Sequence, residues 1–275
     1  MKIANYISLS FLSIVFAAGV SASDYLIAPG KIALGQSISH TSFDEFWAGS
    51  AKQPGVPGGG EIERTSYRSY IFYGIQEDLA LDFSFGYADT SSVLSTDGSL
   101  TDYALGLSWQ LAHEEDSSLD WMVRAGISIA DSYEVGVLSA PGDGENSFDL
   151  MTKFGRSFTE NGIRGDVEVG YTLSDGGDVP DSYRLKAGSS IPLGGGFAFD
   201  VSGIYFSGID GIDIGGPGFS GLADLPKVEE SGTAGEIGLS VATNYGYYRI
   251  SVSQILDGRN IGEELTSGIF ASFSF

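Results

Sequence analysis

The last nine residues of the chain, 267–275, read Ser-Gly-Ile-Phe-Ala-Ser-Phe-Ser-Phe and carry two faces with a period of two. Ile269, Ala271, Phe273 and Phe275 fall on one side of an extended backbone, and Gly268, Phe270, Ser272 and Ser274 on the other. Only a strand separates residues in this way, because successive side chains point to opposite faces. The same period runs through three internal segments. Leu79, Leu81, Phe83, Phe85 and Tyr87 alternate with Ala80, Asp82, Ser84, Gly86 and Ala88. Tyr103, Leu105, Leu107, Trp109 and Leu111 alternate with small or polar residues, as do Leu119, Trp121, Val123, Ala125, Ile127 and Ile129. The fold must therefore be built from strands with one oily face and one polar face.

The N-terminus sets the compartment. Met1-Lys2 is a short positive start, residues 7–20 are apolar apart from Ser8, Ser10 and Ser13, and Val20-Ser21-Ala22 supplies small residues for cleavage. This pattern predicts a signal peptide over 1–22 and a mature chain from Ser23. No later stretch is long and apolar enough to span a membrane as a helix. Any insertion must then use strands that satisfy their backbone in a closed sheet. A free aromatic residue ending an amphipathic strand resembles the closing strand of bacterial outer-membrane β-barrels. In those proteins the terminal Phe is read by the barrel-assembly machinery, which the resemblance makes an expected partner.

Twelve strand-like segments follow along the chain: 31–41, 62–74, 79–89, 101–112, 119–130, 147–157, 161–173, 181–191, 197–206, 235–243, 246–256 and 267–275. Each has about the 9–11 residues that a tilted strand needs to cross a bilayer. A soluble β-sandwich shows the same alternation, so the connections decide. The segments at 42–61, 90–100, 131–146, 174–182, 207–234 and 257–266 are all longer than those at 75–78, 113–118, 158–160, 192–196 and 244–245. Long outer loops alternating with short inner turns suit a barrel; a sandwich has no reason to sort them. The expected fold is all-β: one antiparallel transmembrane β-barrel over 23–275, about 12 strands, with short periplasmic turns and longer extracellular loops. Residues 23–30 are too few for a separate plug. The 40 glycines, 14 tyrosines and 17 phenylalanines suit turns and an aromatic girdle.

Charge and cysteine content exclude several functions. The formal charge is −22, so neither nucleic acid nor an anionic lipid surface met through a basic face is an expected partner. Without cysteine there is no disulfide frame or thiolate metal site. Asp-Gly pairs at 97, 143, 175 and 210 lack calcium-loop spacing and read as turns, and Gly194-Gly-Gly196 is a turn without a following Lys. No cofactor is expected. Outer-membrane lipid and lipopolysaccharide are the expected surroundings.

Charged residues on the polar faces line the expected lumen. Arg68, Arg124, Lys153, Arg164, Arg184, Lys186 and Arg249 face inward with Asp82, Asp102, Asp120, Asp149, Asp166, Glu168 and Asp200. Placing Arg68 inside also turns Tyr70 and Phe72 inward. The candidates for a path taken by a small-molecule solute are Arg68, Asp82, Arg124, Lys153, Arg164, Arg184 and Arg249; the same groups equally suit a structural network filling the barrel. Val123→Arg is expected to impair assembly and Arg124→Ala to spare it while altering permeation. Only His40 and His113 offer a base for an embedded lipid-modifying enzyme, and no catalytic site is assigned. A structural or adhesive barrel with a sealed lumen would use loops 42–61 and 207–234 for contacts.

The N-terminal third also resembles one group of outer-membrane proteins. Ile27-Ala-Pro-Gly-Lys-Ile-Ala-Leu34 is similar to their opening element, Phe43-Asp-Glu-Phe46 to a segment of their first outer loop, and Tyr73-Gly-Ile-Gln-Glu-Asp-Leu-Ala-Leu81 to a recurring hairpin. Asp102-Tyr-Ala-Leu-Gly-Leu107 resembles their next strand. This is the outer-membrane transporter family named for the MetA pathway (meta-cleavage) of phenol degradation. The resemblance implies a lightly filled barrel passing small, often hydrophobic or aromatic molecules, and it supplies no binding residues.

Overall fold

The structure is a computed structural model, and it describes residues 26–275 apart from 57–59, 93–95, 134–139, 141–143 and 160–161. The signal peptide expected over 1–22 lies outside the described residues, as does Ser23. Among the described residues there are fifteen strands. Twelve form the wall: β1 (Ile32–Phe43), β4 (Ile62–Gln76), β5 (Leu79–Ser91), β7 (Tyr103–Ala112), β8 (Asp120–Ile129), β9 (Ser147–Ser157), β10 (Arg164–Ser174), β11 (Asp181–Gly194), β12 (Phe197–Ile209), β13 (Ser231–Thr243), β14 (Gly246–Arg259) and β15 (Leu265–Ser274). Each pairs antiparallel with its neighbours in sequence, and β1 pairs with both β4 and β15. The sheet closes on itself and leaves no edge in the wall.

The sides of the wall are inverted relative to a soluble protein. Ile269, Ile250 and Trp109 are 60%, 57% and 55% exposed, whereas Asp120 and Met122 are 0% exposed. An oily exterior around a polar interior is what hydrocarbon requires and water forbids. No helix among the described residues is long and apolar enough to cross a membrane. The second strand is also resolved: Tyr67, Ile71 and Tyr73 face out, and Tyr70 and Phe72 are buried inside with Arg68 on their face. Val123→Arg places a guanidinium on the outer face of β8 and should cost about 2–4 kcal/mol near the midplane. The check is the yield of heat-modifiable folded protein.

Inner turns are tight. Gly194, Gly195 and Gly196 have φ of +90°, +61° and +82° where β11 meets β12, a backbone that residues with a Cβ resist. Outer connections carry their own structure. A hairpin of β2 (Phe46–Ala48) and β3 (Ala51–Gln53) follows β1, β6 (Thr96–Leu100) pairs with the outer half of β5, and a 3₁₀ turn spans Leu222–Lys227. A one-turn helix, α1 (Glu114–Ser117), lies between β7 and β8.

Both mouths of the barrel are covered, which corrects the expectation of an unplugged, lightly filled lumen. At the outer end Phe46, Trp47, Val56, Ile214, Leu225, Val228 and Ile261 pack on the inward Ile204, Phe206, Ala234 and Ile255. At the inner end Leu26 is buried against Ala80 and Met122, and Gly30 N donates to Gly74 O at 2.8 Å. A Cβ on Gly74 would stand 2.2 Å from Ala28 O, so only glycine lets the incoming segment lie this close to β4. An extended segment needs only a few apolar side chains to cap a barrel this narrow.

Candidate functional site, the barrel lumen

The inward charges sort into separate clusters fixed by strand register. On β8 and β5, Arg124 Nε and Nη2 donate to Asp82 at 3.0 and 2.7 Å, and both residues are buried. The guanidinium lies over the cross-strand pair Gly106 and Gly126, where an added Cβ would meet it at 2.2 and 2.7 Å. Two glycines here make room for one side chain. Arg124 and Asp82 are thus held to the wall, and the expectation that Arg124→Ala spares assembly is corrected: it would leave Asp82 buried without its cation.

A second cluster closes the inner end. Arg164 Nη2 reaches Asp120 at 2.7 Å, with Glu114 and Asp166 at 3.5 and 3.4 Å. Asp120 also accepts from Glu114 N, and Glu114 accepts from Ser157 N, both at 2.8 Å, so these bonds tie α1 to β8, β9 and β10. Lys153 lies 3.8 Å from Asp166. A third cluster centres on Glu236 of β13, which receives Lys186 at 2.8 Å, Arg249 at 3.2 Å and Ser202 at 3.0 Å. Arg249 also lies 3.4 Å from Asp200. Sequence reasoning placed Glu236 within the expected strand 235–243 but did not count it among the inward charges; the alternation of Ile237, Leu239 and Val241 on the outer face already puts it inside.

Among the described residues, two well-formed cavities lie in the lumen. The smaller, about 190 Å³, is lined by Arg64, Arg68, Arg249, Glu236 and Glu264, by the rings of Tyr70 and Phe270, and by hydroxyls of Ser37, Ser66 and Ser251. The larger, about 290 Å³, is lined by Asp102, Glu145, Asp149, Glu168 and Glu230 with Arg68, Arg124 and Arg184. Arg68 borders both. Of the seven residues singled out from sequence, Arg68, Arg124, Arg184 and Arg249 line a cavity; Asp82, Lys153 and Arg164 serve the clusters around them. Glu264, between β14 and β15, is buried, and its carboxyl is pushed up to about 7 by loss of solvent, against the opposing pull of Arg64.

Above the cavities, Asn260 joins three outer loops. It is fully buried, with φ +56°. Its Oδ1 accepts from Gly49 N and Ile214 N at 2.7 and 3.1 Å, and its Nδ2 donates to Asp213 and to Glu229 O at 2.9 and 2.8 Å. Arg259 holds Asp213 with two bonds of 2.8 Å, and that guanidinium, with Asn260, keeps the carboxyl below its usual range. The histidines are apart from all this. His40 Nδ1 meets Thr65 Oγ1 at 3.2 Å on the outer face of the wall, and His113 Nε2 meets Asp78 at 2.7 Å at the inner end. Among the described residues no group of three or more His, Asp or Glu could hold a metal ion.

No family model matches this sequence, and no curated protein does. Solved structures do match. The chain is similar to the COG4313 outer membrane channel from Pseudomonas putida F1, with a TM-score of 0.70 at 14% identity, over 93% of this chain and 100% of that one. The NanC porin and the CymD monoaromatic hydrocarbon channel align at TM-scores of 0.49 and 0.40, with 11% and 13% identity; the alignments cover 86% and 90% of this chain and 98% and 88% of theirs. The fold is that of a bacterial outer-membrane β-barrel, and with its lipid-facing exterior the chain resides in the outer membrane.

Proposed function

We propose that this barrel is an outer-membrane channel for passive passage of small solutes, including hydrophobic or aromatic ones. The observation that carries the reading is a pair of cavities in the lumen, lined by charged and hydroxyl groups with aromatic rings at one level, between two covered mouths. A purely structural barrel of this width would gain stability by filling that space with packed side chains. The likeness to the Pseudomonas putida channel adds to the reading, as does the sequence resemblance to the phenol-pathway transporters. Outer-membrane lipid and lipopolysaccharide around the outer face, and barrel-assembly machinery acting on β15, belong to the same proposal.

The test is conductance of the purified protein in a planar bilayer. Small, discrete current steps are expected. A membrane that stays silent at high protein density would instead support a sealed structural or adhesive barrel, which the covered mouths favour.

A further inference from the structure

We propose that the smaller cavity is a binding site for a small aromatic monocarboxylate, its carboxylate held by Arg68 and its ring against Tyr70 and Phe270. This rests on the channel reading and names the class of solute that would pause there.

Arg68 differs from other lumen cations. Arg124, Arg164, Lys153, Lys186 and Arg249 each have a carboxylate within ion-pair reach. Among the described residues no carboxylate lies within ion-pair reach of Arg68; its bond is to Asp102 O, at 3.5 Å, and its charge acts on the Asp102 carboxyl from farther off. A guanidinium in a half-buried position with one long bond keeps most of its donors for an anion, and its planar fork fits a carboxylate in two-point contact. The lining agrees in sign: Arg64, Arg68 and Arg249 stand with Glu236 and Glu264, three cations to two carboxylates. That excess of positive charge lies in a protein whose formal charge is −22. The larger cavity has the opposite balance, and it would repel the same ligand.

Shape selects the rest of the molecule. Tyr70 lies two residues from Arg68 on the inward face of β4, and its ring meets Phe270 edge-on with centroids 5.9 Å apart. Gly35 of β1 makes this floor: an added Cβ would stand 3.2 Å from Phe270 and 3.3 Å from Tyr70. A ligand ring would complete the aromatic cluster. Cavities of about 150 Å³ admit benzene, so about 190 Å³ suits one ring with a carboxylate and excludes two fused rings with substituents. Ser37 and Ser66 stand beside Arg68 with hydroxyls for the second carboxylate oxygen.

Isothermal titration of the full-length protein in detergent with benzoate, benzyl alcohol and benzylamine tests this. Benzoate should bind at least about tenfold more tightly than the alcohol or the amine, and Arg68→Gln should weaken benzoate by about tenfold or more, as loss of a charge-assisted bond implies. Arg68→Lys should fall between, because it restores charge without the fork. Benzoate that gives no heat, binds no better than benzyl alcohol, or ignores Arg68→Gln would overturn the assignment. If Arg68→Gln does not assemble, Phe270→Leu carries the test: benzoate should weaken about tenfold, and unchanged binding sinks the site. Titration needs no ion flow. A barrel that binds benzoate without conducting defeats only the channel reading, and one that conducts but ignores benzoate defeats only this site.

Discussion

Asp82→Ala should unfold the barrel more readily by about 3–5 kcal/mol, because it strands the buried Arg124 guanidinium without its carboxylate. The bidentate geometry, with Arg124 itself only 3% exposed, removes the escape of simple rehydration. Arg124→Ala should cost a comparable amount from the other side. Replacing both at once, as in Asp82→Leu with Arg124→Met, should restore much of the loss, since apolar groups of similar volume need no partner. Urea titration of the folded band in lipid vesicles reads all three. If Asp82→Ala unfolds at the wild-type midpoint, the pair contributes nothing and the wall is held by its backbone ladder alone.

Asn260→Ala should release the outer loops. The substitution leaves the N–H groups of Gly49 and Ile214, the Glu229 carbonyl and one Asp213 oxygen without a partner they now have. Each buried group left unsatisfied costs about 1–3 kcal/mol, and alanine also resists the left-handed backbone at this position. Limited proteolysis should then cut within 210–230, where the native protein resists, while the wall stays folded. Ion current should rise if these loops set the constriction. Cleaved loops with unchanged current would shift the constriction to Leu26 at the inner end.

The wall was legible in the sequence because it repeats. A period of two places Leu105, Trp109, Ile127 and Ile269 outside and Asp82, Asp120 and Arg124 inside before any contact is known, and all twelve expected segments correspond to strands of the barrel. Ends were less legible. Ser231-Gly-Thr233 carries no apolar alternation, so the expected strand begins at 235, four residues inside β13. The lids could not be read at all. Asn260 meets Gly49 and Ile214 across long sequence separations with no repeating spacing, and the hairpin at Phe46 looks like any acidic-aromatic loop. Partner choice was equally hidden. Which acid meets Arg124, and that among the described residues none comes within ion-pair reach of Arg68, depends on the stagger between neighbouring strands rather than on either strand's own pattern.

Closure through β1 and β15 has a bearing on how the polypeptide reaches its native form. Hairpins such as β4 with β5 join near neighbours, whereas Ala33 must find Ser274. Loop-closure entropy rises with separation, so the local ribbons zip first and the chain ends dock last. Until that final seam is made, two raw margins stay open to any stray strand. A lesion in Ala33 or Gly35 should accordingly show itself as slow maturation and aggregation rather than as a leaky finished product.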